Sequence, residues 1–210
     1  MTTARFEGAP ALLVLSPLRL EARAVRRGAP NVTVVRTGMG PRRSRDAALR
    51  AAGMPGRAVA VLGVAGALSD SLNAGVLVVA SEVRGPGAAV ACPGAEDLAG
   101  ALRRRGLQAV AGPVVSSERL VRGADRRALG AGGAVAVDME SAWLAAAAGG
   151  RPFAVLRAIV DTPGRELYRP LATVAGGMKA LRAVKAAAPV LADWAARVPD
   201  PHTRKLPIRG

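Results

Sequence analysis

The chain has 210 residues, half of them hydrophobic and only 2% aromatic, and carries a formal charge of +15. That length suits one domain with a core of Ala, Val and Leu. The single cysteine, Cys92, excludes an internal disulfide, and the single histidine, His202 in a Pro-rich tail, argues against a His-based metal site or a Ser-His-Asp triad.

In chain order, short apolar runs alternate with Ala/Arg-rich helical patterns. Ala11–Ser16 reads as a strand and Leu18–Arg27 as a helix. Val32–Thr37 is the next strand, leading through Gly38-Met39-Gly40 to a helix over Ser44–Ala52. Ala58–Gly63 ends in a glycine segment, and Gly75–Ser81 precedes a helix over Ala95–Arg105. Val110–Val115 leads to Ser116-Ser117-Glu118. Ala134–Val137 leads to Asp138-Met139-Glu140 and a helix over Ser141–Ala148. Phe153–Val160 closes on Asp161, and Leu171–Ala188 is the last helix. Runs this apolar suit a sheet covered on both faces, so the expected fold is one α/β domain over residues 1–198. Its central sheet is mixed, largely parallel and flanked by helices, and residues 199–210 are read as a disordered basic tail.

The N-terminus lacks a basic segment followed by a long apolar run, and no uncharged stretch reaches about 18 residues. A cytoplasmic protein is expected. The arginines are spread along the chain with few aromatics to stack on bases, so nucleic acid is not the expected partner. Met178, Leu181, Val184, Val190, Leu191 and Trp194 form an apolar stripe, interrupted by Pro189. It either packs on the core or, with Lys179, Arg182, Lys185 and Arg197, meets an anionic membrane peripherally.

In open α/β sheets ligands gather at the carboxyl ends of strands, where the glycine segments, Glu140 and Asp161 fall. A carboxylate at the end of a buried strand is costly unless it has a function or a partner. Glu140 could otherwise cap the following helix, and Asp161 could open a turn.

VDMESAWLA followed by RPFAVLRAIVD resembles the signature of the nucleoside phosphorylase/nucleosidase superfamily. GVAGALSDSLNAGVLVVASEV and TGMGP resemble its glycine turns, so that the similarity spans roughly residues 11–188. The resemblance implies cleavage of a purine nucleoside's N-glycosidic bond without a cofactor or metal, with water or inorganic phosphate as co-substrate. Relatives are commonly dimers or hexamers, which implies a homo-oligomer. By position, Glu140 would bind the ribose hydroxyls, accepting two hydrogen bonds from a vicinal diol, and Met139 would pack on the sugar. Asp161 would act as general acid toward N7, with a pKa raised by burial. Arg157, four residues earlier on the same strand face, would orient Asp161 or form a structural ion pair. Ala65 and Gly66 of the glycine turn, Ser116 and Leu120 would lie near the base, and Glu118 replaces a more usual Asp.

Glu21 matches the residue that activates water in hydrolytic members. Arg19, in Pro17-Leu18-Arg19, resembles the phosphate-binding Arg of bacterial phosphorylases, but Val61 and Val64 replace their two further phosphate ligands. Water is therefore favoured. TGMGP, GVAGALSDSL and PFAVLRAIVDTPGREL resemble most the enzymes of hopanoid biosynthesis that release adenine from adenosylhopane. The alternatives are a methylthioadenosine/S-adenosylhomocysteine or futalosine hydrolase, and a non-catalytic nucleoside-binding or membrane-surface protein.

Overall fold

Runs of Val, Leu and Ala with no polar alternation bury both faces of a strand, and that is how β1 (Leu12–Ser16) and β3 (Ala58–Ala67) are used. The computed structural model describes residues 11–163 and 170–199, so residues 200–210 of the expected tail, with His202, lie outside it. The remaining strands are β2 (Thr33–Arg36), β4 (Leu77–Arg84), β5 (Val90–Ala91), β6 (Ala109–Ser116), β7 (Ala136–Asp138) and β8 (Phe153–Asp161). The helices are α1 (Arg19–Gly28), α2 (Pro41–Ala52), α3 (Ala95–Arg104), α4 (Gly123–Ala131), α5 (Ser141–Leu144) and α6 (Pro170–Arg197).

These strands form a mixed sheet in the order β2-β1-β3-β7-β6-β4-β5, with β8 bridging β3 and β4. The bridge has a consequence that the order of elements along the chain does not reveal. Pairings β3–β8, β8–β4, β4–β6, β6–β7 and β7–β3 close five strands into a ring. Of these, β7–β3 and β4–β8 are antiparallel, while β1, β2, β3 and β8 run parallel. Closure removes the free edges of those five strands and gathers the ends of β3, β6, β7 and β8 around one spot.

Two apolar layers cover the sheet. One joins Leu12, Leu62, Leu77 and Leu156 with Val25, Leu98, Val184 and Leu191 of α1, α3 and α6. The other joins Leu13, Val61, Val78 and Val155 with Ala47, Ala51 and Leu144 of α2 and α5.

Several elements depart from the expected ones. The segment after β7 makes only one α-helical turn before a 3-10 turn at Ala145–Ala148. Helix α4 and the short edge strand β5 are additional elements. Most consequential is α6, which runs through Pro189 rather than stopping there. Proline cannot donate to the carbonyl four residues earlier, here Lys185. That carbonyl lies so close to α1 that a Cβ on Gly28 would stand 2.1 Å from its oxygen. In the same helix the apolar stripe takes the first of its two readings and packs on the core. Val184, Val190 and Leu191 are buried, Leu181 and Trp194 pack against them, and only Met178 of the stripe is exposed. Among the described residues no helix is long and apolar enough to cross a membrane.

Candidate active site

A cavity opens where these strand ends meet. Its walls come from the β1–α1 turn (Pro17, Leu18, Glu21), the end of β3 (Val64, Ala65, Gly66), the β6–α4 loop (Arg119, Leu120, Val121), Arg126, residues 137–140, Val160 and Asp161. Carboxylates reach it from three segments distant in sequence: Glu21, Glu140 and Asp161.

Glu21 sits in the first turn of α1 and is 1% exposed. It accepts from the backbone N–H of Leu18 at 2.6 Å, which caps the helix. Its other oxygen accepts from the N–H of Val64 on β3 at 2.8 Å. Burial pushes its carboxyl above the usual glutamate range; Arg157 and the two backbone donors oppose the rise, and Glu140 adds to it. Glu140, at the N-cap of α5, accepts from the N–H of Gly40 at 3.1 Å. That bond ties the glycine turn between β2 and α2 to the VDMES segment. Burial raises Glu140 as well, against Arg157, with Asp138 adding to the rise and the Gly40 and Met139 amides opposing it.

Behind both lies Arg157, which is 0% exposed. Its Nε pairs with Asp138 at 2.7 Å, Nη2 with Glu140 at 3.6 Å, and both nitrogens donate to Ser141 Oγ. Burial works against its charge, but Asp138, Glu140 and Glu21 together hold its pKa above the ordinary arginine value. Asp138 is the hub of this layer. It accepts from Ser116 Oγ at 2.6 Å, from the N–H groups of Glu140 and Ser141, and from the Ser141 hydroxyl. Ser116 also accepts from the N–H of Ala142. The ends of β6 and β7, the middle of β8 and the start of α5 are thereby fixed in one hydrogen-bonded unit, which sets the direction of Glu140.

Asp161 has a different partner. Arg126 of α4, 2% exposed, donates to its carboxylate from Nη2 at 2.8 Å and Nη1 at 3.2 Å, and from Nε to the Ala67 carbonyl at 2.7 Å. The glycines of Gly63-Val64-Ala65-Gly66 have steric reasons. A Cβ on Gly63 would stand 2.7 Å from Arg157 Nη1 and 2.8 Å from Glu21 Oε1. On Gly66 it would stand 2.1 Å from Arg126 Nη2 and 2.9 Å from Asp161 Oδ1. Gly66→Ala is therefore expected to break the Arg126–Asp161 pair and lower both the unfolding midpoint in urea and the affinity for ligands of the cavity. A variant with wild-type stability and affinity would contradict this close packing.

The family model for the phosphorylase superfamily matches residues 19–193. The chain belongs to the phosphorylase superfamily. No curated protein matches it significantly by sequence. Among solved structures, futalosine hydrolase of Helicobacter pylori strain 26695 superposes with a TM-score of 0.73 at 19% identity, covering 87% of this chain and 97% of that one. The 5'-methylthioadenosine/S-adenosylhomocysteine nucleosidase of the same organism gives a TM-score of 0.72 at 19% identity over 89% and 98%. The corresponding nucleosidase of Neisseria meningitidis, solved with methylthio-immucillin-A, gives 0.71 at 19% identity over 87% and 98%. The α/β fold with a mixed sheet flanked by helices is thus that of known members of the superfamily.

Of the residues singled out in this superfamily chain, Glu21, Ala65, Gly66, Leu120, Met139, Glu140 and Asp161 meet in one cavity. Ser116 and Arg157 stand behind its wall and support Asp138 and Glu140. The expected alliance of Arg157 with Asp161 is corrected: strand register breaks between Ile159 and Asp161, and Arg157 is committed to Asp138, Glu140 and Ser141. Asp161 is held by Arg126 instead. Arg19 lies outside this cavity, in a neighbouring one lined also by Arg36, Arg43 and Arg50. Glu118 is exposed, 3.8 Å from Arg45. Arg126, Asp138 and Ser141 were missed. Asp138 and Ser141 lie inside the VDMES segment, whereas Arg126 sits in a glycine-flanked helix with no apolar periodicity to mark it.

Proposed function

We propose that this protein is a purine nucleosidase that hydrolyses the N-glycosidic bond of an adenine nucleoside bearing a hydrophobic 5′ substituent. Adenosylhopane is the substrate the motifs favour, which would place the reaction in hopanoid biosynthesis in the cytoplasm. The observation that carries the reading is the convergence of Glu21, Glu140 and Asp161 on one cavity. In this reaction Glu140 binds the ribose 2′- and 3′-hydroxyls and faces the positive charge that grows on the sugar. Glu21, raised in pKa and fixed by two backbone donors, takes a proton from the attacking water. Asp161 and its partner act on the departing base.

Water is favoured over phosphate because Glu21 lines the cavity while Arg19 lies outside it, and by resemblance Val61 and Val64 replace two further phosphate ligands. A hydrophobic arm is supported by the rim, where Met39 and Leu120 are each about half exposed and continue into Pro17, Leu18 and Val121. Exposed large apolar side chains at the mouth of a cavity are a common mark of a binding surface.

The test is incubation with adenosylhopane, methylthioadenosine, S-adenosylhomocysteine and futalosine, each with and without phosphate. Adenine and a 5′-substituted ribose bearing a free anomeric hydroxyl from adenosylhopane, at a higher kcat/KM than from the others, is the expected result. Preference for one of the other nucleosides moves the reading to that hydrolase, and a 5′-substituted ribose 1-phosphate product makes it a phosphorylase. Tight binding with no turnover of any would make the protein a binder. Sedimentation of the same preparation reads whether it assembles as a homo-oligomer.

A further inference from the structure

The carboxyl ends of β1 and β2 meet beside the candidate active site rather than in it. The turns that follow them are tied together. Thr37 N–H donates to the Ser16 carbonyl at 3.0 Å, and Gly38 N–H donates to the Pro17 carbonyl at 3.1 Å. A second cavity lies over these turns, at strand ends of the kind where α/β sheets take ligands. It shares Pro17, Leu18 and Met39 with the first cavity, but none of Glu21, Glu140 and Asp161 lines it.

Arginines reach this second cavity from three segments. Arg19 opens α1, Arg36 ends β2, and Arg43 and Arg50 stand with Asp46 on one face of α2. Among the described residues, none of these four guanidiniums has an ion pair or a hydrogen bond. Arg45 of the same helix, by contrast, reaches Glu118 and the ring of Trp143. Arg43 is also fixed by the turn beneath it. Gly38 has a φ of +84°, and a Cβ there would stand 2.8 Å from Arg43 Cδ, so the arginine stem lies directly on the glycine. Like charges gathered in this way repel one another, and a bound anion relieves the repulsion. Asp46 is the one carboxylate among the described residues that line the cavity.

We infer that this second cavity binds a phosphate group, held chiefly by Arg36, Arg43 and Arg50. Each guanidinium fork engages two oxygens of an anion. A carboxylate offers its two oxygens in one plane, whereas a phosphate offers them around a tetrahedron and meets forks that arrive from different directions. The phosphate here is not a co-substrate, because the residues proposed to act on the nucleoside lie in the neighbouring cavity. The assignment therefore stands or falls apart from the hydrolase reading. Two sources carry this chemistry, the free phosphate ion and a phospholipid headgroup.

The test is titration calorimetry with inorganic phosphate in a phosphate-free buffer of low ionic strength. One saturable site is expected in the wild type. Arg43→Ala/Arg50→Ala should weaken it by at least about tenfold, through loss of charge-assisted hydrogen bonds. Asp46→Asn should tighten it, because the carboxylate that repels the anion is gone. Arg104→Ala/Arg197→Ala takes two arginines from the groove between α3 and α6. That pair removes the same charge and should leave the affinity nearly unchanged. All five side chains are exposed, so each variant should unfold at the wild-type urea midpoint. Sedimentation with phosphatidylcholine vesicles, with and without phosphatidylglycerol, names the source. Binding that needs phosphatidylglycerol and is lost in Arg43→Ala/Arg50→Ala identifies a headgroup; phosphate binding without such vesicle binding identifies the free ion. A wild-type protein that binds neither probe, an unchanged phosphate affinity in Arg43→Ala/Arg50→Ala, or an equal loss in Arg104→Ala/Arg197→Ala would overturn the assignment.

Discussion

Glu21→Gln is expected to lower kcat by about 10²–10⁴-fold, the range for loss of a general base, with little change in substrate affinity. Gln keeps the shape of the side chain and one acceptor for the Leu18 and Val64 amides but takes no proton from water. The same change should shift stability in a pH-dependent way. Burial raises the Glu21 carboxyl above its ordinary value of 4.5, so the native state holds the proton more tightly than the unfolded chain. For such a group stability falls as pH rises through the window between the unfolded and the folded pKa. Gln carries no such penalty. The stability difference between variant and wild type, read from urea unfolding, should therefore move in the variant's favour as pH rises above the ordinary glutamate value of 4.5. In the wild type kcat/KM should fall on the acid side with a midpoint above that ordinary value. Because Glu140 is raised too and is coupled to Glu21, the limb belongs to the pair rather than to one residue. Full activity in Glu21→Gln would remove water activation by this residue.

Much of this architecture is legible in the sequence, for reasons that differ by element. The runs around Leu12–Ser16 and Phe153–Asp161 are apolar at every position but one or two, which only a strand covered on both faces tolerates, so their type was readable. Closure of the ring was not, because it depends on β8 pairing with both β3 and β4, a choice made by tertiary packing. Helix α4 was missed because Gly123 and Gly130 flank a segment with a single buried residue, Arg126. At the site, Glu21, Glu140 and Asp161 could be picked out because each is a carboxylate beside a strand end or glycine turn. Their partners could not be assigned. Strand periodicity put Arg157 with Asp161, yet the register irregularity after Ile159 defeats simple alternation, and the true partner of Asp161 arrives from 35 residues away.

Asp161→Ala separates what the Arg126–Asp161 pair does for the fold from what it does for the reaction. The two side chains are only 3% and 9% exposed. Removing the carboxylate takes the Asp161 counter-charge away from a buried guanidinium, and breaking a buried pair by deleting one partner typically costs about 3–5 kcal/mol. A clear drop in the urea midpoint is expected, together with loss of adenine release, since both the base-side carboxylate and the anchor of Arg126 are gone. Replacing both partners by apolar groups of similar size does not leave that charge behind, and such replacements are often neutral or better. The double variant Asp161→Leu/Arg126→Met should recover most of the stability lost in Asp161→Ala while remaining inactive. If it proves no more stable than the single variant, the uncompensated charge is not what destabilises Asp161→Ala. If it recovers activity along with stability, the pair is scaffolding, and the chemistry at the base lies elsewhere in the cavity.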